Sequence, residues 1–318
     1  MKRSTIDKAI QLLSAGELVA IPTETVYGLA GNALDPSAID KIYTLKRRPK
    51  NNPLIVHLAS INQLETVATE IPEGAWRLAK AFWPGSLSLI LKKKEIIPDE
   101  ATAGNNSLAV RVPNHPLTLD LLSKLDFPLV APSANPYQAI SPTAAEHVKK
   151  AFGPKLKMVL DGGVCEGGLE STIVGFEDDK PLIYRLGSIS KEQIEAVVGK
   201  VELRNRSQEG GIAPGLSQKH YSPHTPTVFC ESAEAYLKNV QDKKVGILVF
   251  SKVSTALYAQ KVEVLSPSGS LEEAAHNLYA ALHRLDEADL DLIVTEEFPN
   301  HGLGKTINDK LKRASSES

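Results

Sequence analysis

Leu18-Val19-Ala20-Ile21-Pro22-Thr23-Glu24-Thr25-Val26-Tyr27-Gly28-Leu29-Ala30 is the stretch that decides the fold class. Its first four residues are apolar and stop at a proline, which has no N–H to give to a sheet, so residues 18–21 predict a short buried strand. Thr23 and Thr25 place hydroxyls directly after that strand, and Gly28 lets the backbone come close to a ligand. Open α/β sheets hold their ligands at the carboxyl ends of strands, which makes this turn a candidate binding element. Taken alone, the same residues also suit a capped strand-to-helix turn.

Outward from this stretch the same grammar continues to about residue 200. Residues 54–58, 86–92 (SLSLILK), 107–112 (SLAVRV), 129–130 and 171–175 (STIVG) read as strands, and residues 38–45, 74–82 and 143–152 as helices between them. This pattern predicts an α/β domain over residues 1–204, a twisted open mixed sheet flanked by helices around a large cationic cleft. Residues 205–227 (NRSQEGGIAPGLSQKHYSPHTPT) lack an apolar period and read as an interdomain linker. Over residues 228–318, strands at 244–250, 261–265 and 291–295 flank a helix at 271–285, which predicts a smaller Rossmann-like α/β domain.

Composition narrows the class. The chain has 318 residues, 42 % hydrophobic and 23 % charged, the balance of a globular protein with room for a sizeable core. A net charge of −2 means that any grip on phosphate must come from local clustering, such as Lys46, Arg47, Arg48 and Lys50. Two distant cysteines, Cys165 and Cys230, offer neither a disulfide framework nor zinc-ligand spacing, so a reducing cytoplasm is expected. Ile6, Ile10 and Leu13 fall on one stripe of an amphipathic helix, and no apolar run nears the roughly 20 residues of a bilayer span. A soluble protein without membrane contact is expected.

Several segments carry candidate chemistry. In KRRPKNNPLIVH, residues 46–57, Lys46 and Arg48 would point the same way on an extended backbone, a cationic pair suited to a triphosphate. Asn51 and Asn52 add hydrogen-bonding groups there, and His57 ends the apolar strand. Ser107 and Arg111 share one face of the SLAVRV strand. An arginine on such a face requires an anion, either a ligand carboxylate or a structural Asp or Glu. Ala131-Pro132-Ser133-Ala134-Asn135-Pro136 and Ser141-Pro142-Thr143 lie between a strand and a helix, as a phosphate cradle or as a helix cap. Glu170-Ser171-Thr172 and Arg185-Leu186-Gly187 mark two further turns, and there is no GxxxxGK[ST] loop, GxSxG elbow or HExxH motif.

Together these segments resemble the Sua5/YrdC/YciO family. Its KxR…SxN signature corresponds to Lys46-Arg47-Arg48 and Ser133-Ala134-Asn135, and PTETVYGLA, NNPLIVH, STIV and RLG follow in the family's order. HYSPHTP, residues 220–226, and GLGKTINDKLKRAS, residues 302–315, are similar to the linker and tail of the long Sua5 form.

The resemblance implies that L-threonine, bicarbonate (or CO2) and ATP are joined into L-threonylcarbamoyl-AMP and pyrophosphate. A downstream tRNA threonylcarbamoyl transferase would use the product at adenosine 37. It further implies that Thr25, His57, Arg111, Ala131 and Ser171 hold threonine, with Arg111 on its carboxylate. Lys46, Arg48, Asn52, Ser107, Ser133, Asn135, Ser141, Arg185 and Tyr221 would hold ATP. Lys46 and Arg48 would stabilise charge without a covalent nucleophile, Mg2+ would ride mainly on the ATP phosphates, and the linker would close as a lid. Leu216, Ser217 and Gln218 depart from the usual wording of that linker. The residues alone leave two alternatives, an RNA-binding or ribosome-assembly module on the same basic concavity and a carbamoyl-transfer enzyme using carbamoyl phosphate. Few aromatics for base stacking weigh against the first, and missing acylphosphatase-like and zinc-finger segments against the second.

Overall fold

A computed structural model describes residues 2–204, 211, 214, 220–238, 240, 242–252 and 259–316. Helix α1 (Lys2–Ser14) buries Ile6, Ala9 and Leu13 on one face. That stripe packs with Val19 and Ile21 of strand β1 (Val19–Ile21), as its spacing predicts.

One mixed sheet dominates the first two hundred residues. Its further strands are β2 (Gly28–Asn32), β3 (Ile55–His57), β4 (Ala68–Thr69), β5 (Leu87–Lys93), β6 (Ser107–Arg111), β7 (Leu129–Val130), β8 (Thr172–Glu177), β9 (Lys180–Arg185) and β10 (Glu202–Leu203). They run in the order β1-β2-β7-β3-β6-β5-β8-β9-β10, with β4 paired to β5. β3/β6, β5/β8 and β9/β10 are parallel, and the other pairs are antiparallel. Helices α2 (Pro36–Lys46), α3 (Leu64–Val67), α4 (Glu73–Phe82), α5 (Asp99–Thr102), α6 (Pro116–Ser123), α7 (Ala145–Phe152) and α8 (Lys191–Val198) connect the strands. The α/β class and the mixed sheet are as expected from the sequence.

Two local readings change. The Thr23–Tyr27 turn leads to β2, the antiparallel partner of β1, and not to a helix. Ser141 does not cap α7, because that helix starts at Ala145 after Ala144.

The C-terminal residues form a parallel sheet of β11 (Thr227–Cys230), β12 (Val245–Val249), β13 (Lys261–Val264) and β14 (Leu292–Glu296), in the order β11-β14-β12-β13. Helices α9 (Ala233–Leu237), α10 (Leu271–Asp286) and α11 (Leu303–Ala314) accompany it. Leu271, Ala275, Leu278 and Leu282 of α10 are buried, the face its spacing predicts. One apolar cluster joins Leu278 of α10 and Ile307 of α11 to Val26, Leu169 and Tyr221, so the C-terminal unit packs onto loops that carry the candidate ligand residues. Among the described residues no helix is long and apolar enough to cross a membrane.

Candidate functional site

Where β1, β3, β6, β7 and β9 end, their following turns surround a cavity. Thr25, Arg48, His57, Arg111, Ala131, Ser133, Ser171, Arg185 and Tyr221 line it, from stretches far apart in the chain. Sheet register explains part of this convergence. β3 and β6 are parallel neighbours with His57 opposite Arg111, so both reach the same end of the sheet.

Hydroxyls organise the Pro22–Gly28 turn. Thr23 Oγ1 donates to Val26 O at 2.7 Å, which uses its one hydrogen. Thr25 must therefore donate across their 2.7 Å contact, leaving the Thr25 oxygen to accept from Arg111 Nη1 at 3.0 Å. Gly28 sits against the neighbouring loop, where an added Cβ would lie 3.1 Å from Ala131 Cβ. Leu29 N donates to Pro132 O at 2.7 Å and Ala134 N to Tyr27 O at 2.7 Å, so the PTETVYG and APSAN motifs form one wall.

Arg111 is 4 % exposed and its anion is Glu24, with Nη2 to Oε1 at 2.5 Å. Nε donates to Gly85 O and Nη1 to Thr25, so these bonds use three of its five N–H groups and leave two uncommitted to these partners. Burial opposes the charge of Glu24, but the Arg111 guanidinium and the Asn114 N–H outweigh it and hold the carboxyl below its ordinary range. Burial, and then the Arg111 charge, push His57 down to about 3. A neutral ring whose Nδ1 lies 3.0 Å from Ile55 O carries its proton on that nitrogen and presents Nε2 as an acceptor.

Elsewhere in the lining, Arg48 donates from Nε to Asn52 O at 3.0 Å and from Nη2 to Pro53 O at 2.8 Å. Burial lowers its pKa to about 10, where it is still a cation at neutral pH. Arg185 donates from Nη2 to Ser171 O at 2.9 Å and from Nη1 to Pro214 O at 3.3 Å. Tyr221 is fully buried, and its hydroxyl has no hydrogen-bond partner among the described residues. Within the expected lid, residues 205–210, 212–213 and 215–219 lie outside the described residues, Leu216, Ser217 and Gln218 among them. Pro214, His220 and Tyr221 do reach the cavity wall.

Five expected residues are not among the lining residues; four of them support the lining or neighbouring loops, and Ser107 does not. Lys46 is 1 % exposed and its ammonium donates to the carbonyls of Ser133 and Asn135. Asn52 supports Arg48 through its Oδ1. Asn135 Nδ2 donates to Pro136 O and Ala139 O, both at 2.8 Å. Ser141 Oγ donates to Glu170 Oε1 at 2.6 Å. Ser107 begins β6 while Arg111 ends it, roughly 13 Å apart at strand rise.

The extended Lys46–Arg48 pair is a correction. Lys46 ends α2, and Arg47 turns left-handed (φ 54°) as its C-cap. Arg48 N bonds back to Tyr43 O at 2.9 Å. Helical geometry sends the two cations to different partners, so they are not a paired fork. Sequence reasoning also missed Glu24, Glu170 and His220 as lining or supporting groups. For Glu24 a signal existed, since a buried Arg111 demanded an anion and the PTETV motif contains one.

The lining arginines are recessed, with Arg48 7 % and Arg185 8 % exposed. They face a hollow and not a surface stripe, an arrangement for a small molecule that does not favour the RNA-binding alternative.

Comparison with known proteins follows the same lines. The family model of Sua5, YciO and YrdC, described as "Telomere recombination", matches residues 11–187. The model described as "Threonylcarbamoyl-AMP synthase, C-terminal domain" matches residues 189–316. A threonylcarbamoyl-AMP synthase of Bacillus subtilis is 40 % identical, over 97 % of this chain and 92 % of its own length. One from Pyrococcus abyssi is 38 % identical, over 96 % of this chain and 93 % of its own. The crystal structure of P. abyssi Sua5 complexed with L-threonine superposes with a TM-score of 0.91 at 37 % identity, covering 99 % of this chain and 95 % of that one. The chain belongs to the Sua5/YrdC/YciO family, in the long form with a Sua5 C-terminal domain.

Proposed function

We propose that the protein is a threonylcarbamoyl-AMP synthase, which condenses L-threonine, bicarbonate and ATP into threonylcarbamoyl-AMP and pyrophosphate. The observation that carries this reading is that Arg48, Arg111 and Arg185, from distant parts of the chain, line a single cavity in a chain of this family.

In this reading the two spare N–H groups of Arg111 take the threonine carboxylate, and Thr25, Ala131 and Ser171 shape the amino-acid end. His57, held neutral, accepts a hydrogen bond and is too weak a base to remove protons at neutral pH. Bicarbonate loses water to give CO2, taking up the proton that threonine's neutral amine releases as it captures that CO2 as a carbamate. The carbamate oxygen then attacks the α-phosphorus as the bond to the β-phosphate oxygen breaks and pyrophosphate leaves in line. The chain's part is alignment and charge neutralisation. Arg48, Arg185, Ser133 and Tyr221 hold the nucleotide directly. Lys46, Asn52, Asn135 and Ser141 hold those groups in place, and Ser107 contributes toward the far end of β6.

Mg2+ is proposed to enter on the ATP phosphates. Glu170 is the one carboxylate among the described lining residues, and its oxygens already accept from Ser141 and Tyr279. Among the described residues no group of three His, Cys, Asp or Glu is arranged to hold a metal. On the phosphates the ion would neutralise the departing pyrophosphate. The product's consumer is proposed to be a tRNA threonylcarbamoyl transferase in the cytoplasm, where Cys165 and Cys230 stay unpaired thiols.

Incubation with ATP, L-threonine and 13C-bicarbonate tests the reading. Pyrophosphate release that requires all three, with label in a threonylcarbamoyl-AMP mass peak, is expected. Release independent of threonine or bicarbonate would overturn it.

A further inference from the structure

Tyr221 sits in an unusual backbone state. Its φ is 62°, the left-handed region that a bulky residue avoids, and such a conformation persists only where surroundings over-determine it. Part of these surroundings comes from the C-terminal unit. Lys310 of α11 is 1 % exposed, and its ammonium lies 4.7 Å from the centre of the Tyr221 ring. The same ammonium donates to Leu186 O at 3.1 Å, the carbonyl next to Arg185, and has Asp309 at 3.6 Å. Tyr279 of α10 stacks on the other part of the Tyr221 environment, with ring centres 5.6 Å apart.

A buried ammonium is costly, and here a carbonyl, a carboxylate and an aromatic ring offset part of that cost. Burial still lowers the Lys310 pKa to about 8, where it is mostly a cation at neutral pH. Those partners tie three things together: α11, the turn that begins at Leu186 directly after Arg185 of β9, and the ring of Tyr221. We propose that Lys310 is a positioning residue for the nucleotide half of the site, contributed by the C-terminal unit, which holds the Tyr221 ring in place beside Arg185. This rests on the nucleotide reading above, and it assigns the C-terminal unit a part in the site.

The test uses the full chain and the variants Lys310→Met, Tyr221→Ala and their double mutant. Lys310→Met should raise the KM for ATP about tenfold and leave that for threonine within about twofold. In the Tyr221→Ala background the same change should add almost nothing, because both act through one contact. Amide exchange of the peptide covering residues 220–223 should speed up in Lys310→Met by more than that of peptides remote from α11, whatever the fall in melting temperature. Additive effects on ATP use, equal rises in both KM values, or unchanged exchange at 220–223 would each overturn the proposal. Should Lys310→Met not fold, Lys310→Arg keeps the cation and should retain ATP use within about threefold; a loss as large as that of Tyr221→Ala overturns the proposal. If wild-type protein shows no threonine- and bicarbonate-dependent turnover, the synthase reading fails. The exchange measurement then still decides whether Lys310 holds Tyr221.

Discussion

His57 and Arg111 face each other across the parallel strands β3 and β6, a neutral ring and a cation at one end of the sheet. Arg111 is held in a fork by Glu24, Thr25 and Gly85 O, so its remaining N–H groups have a fixed direction. Lysine keeps the charge but not the fork. Arg111→Lys should raise the KM for threonine at least about tenfold while ATP binding changes less than about twofold. Steady-state kinetics with each substrate varied decides it, and equal effects on both would remove Arg111 from the threonine side.

Lys46 and Arg48 are neighbours in sequence and should behave differently on substitution. Lys46 serves two buried carbonyls, so Lys46→Met leaves them unpaired and should cost about 3 kcal/mol in urea unfolding. Arg48 lines the cavity, and Arg48→Met should raise the KM for ATP about tenfold or more. A Lys46→Met protein as stable as wild type would refute the support role given to that ammonium.

Gly187 passes hard against the Glu170–Thr172 turn. A Cβ there would fall 2.3 Å from Ser171 C and Thr172 N. Backbone cannot yield as a flexible side chain can, so Gly187→Ala should destabilise by about 3 kcal/mol or more. It should also reduce ATP use, since Arg185 bonds to Ser171 across this contact. A melting curve within about 1 °C of wild type would contradict the packing.

Acid should weaken the fold earlier than carboxylates alone would. Burial and Arg111 push His57 to about 3, and burial and the stacked His147 push His283 to about 4, both from 6.5. Between about pH 6.5 and those values the unfolded chain binds protons that the folded chain refuses. Stability therefore falls as pH drops through this window, by about 1.4 kcal/mol per unit for each ring, and is fully present above it. Glu24, held below 4.5, adds its own loss only at lower pH. Urea titrations at pH 7, 6 and 5 should show this slope, and His283→Gln should flatten it by roughly one ring's share. Identical slopes in the two proteins would contradict it.

Much of the architecture was legible because burial leaves a simple mark. Runs such as Leu18–Ile21 and Leu87–Lys93 are apolar and end at Pro or charged residues. β2 was not legible: Gly28–Asn32 contains two glycines and no β-branched residue. It is a strand because β1 and β7 pair with it on either side. Tertiary pairing there overrides weak local preference. Lys46 was misplaced for the opposite reason, since α2 runs further than the basic run suggests and turns at Arg47.

Sequence by itself determined the strand-and-helix alphabet, the charged and hydroxyl residues available for chemistry, and the family that their order resembles. Local composition and spacing carry that information. Only tertiary structure decided that Arg111 spends part of its charge on Glu24, 87 positions away, and that Lys310 of the last helix reaches Tyr221. Electrostatic partnership depends on distance in space, and the sheet register and helix packing that set it join residues with no trace of their proximity along the chain.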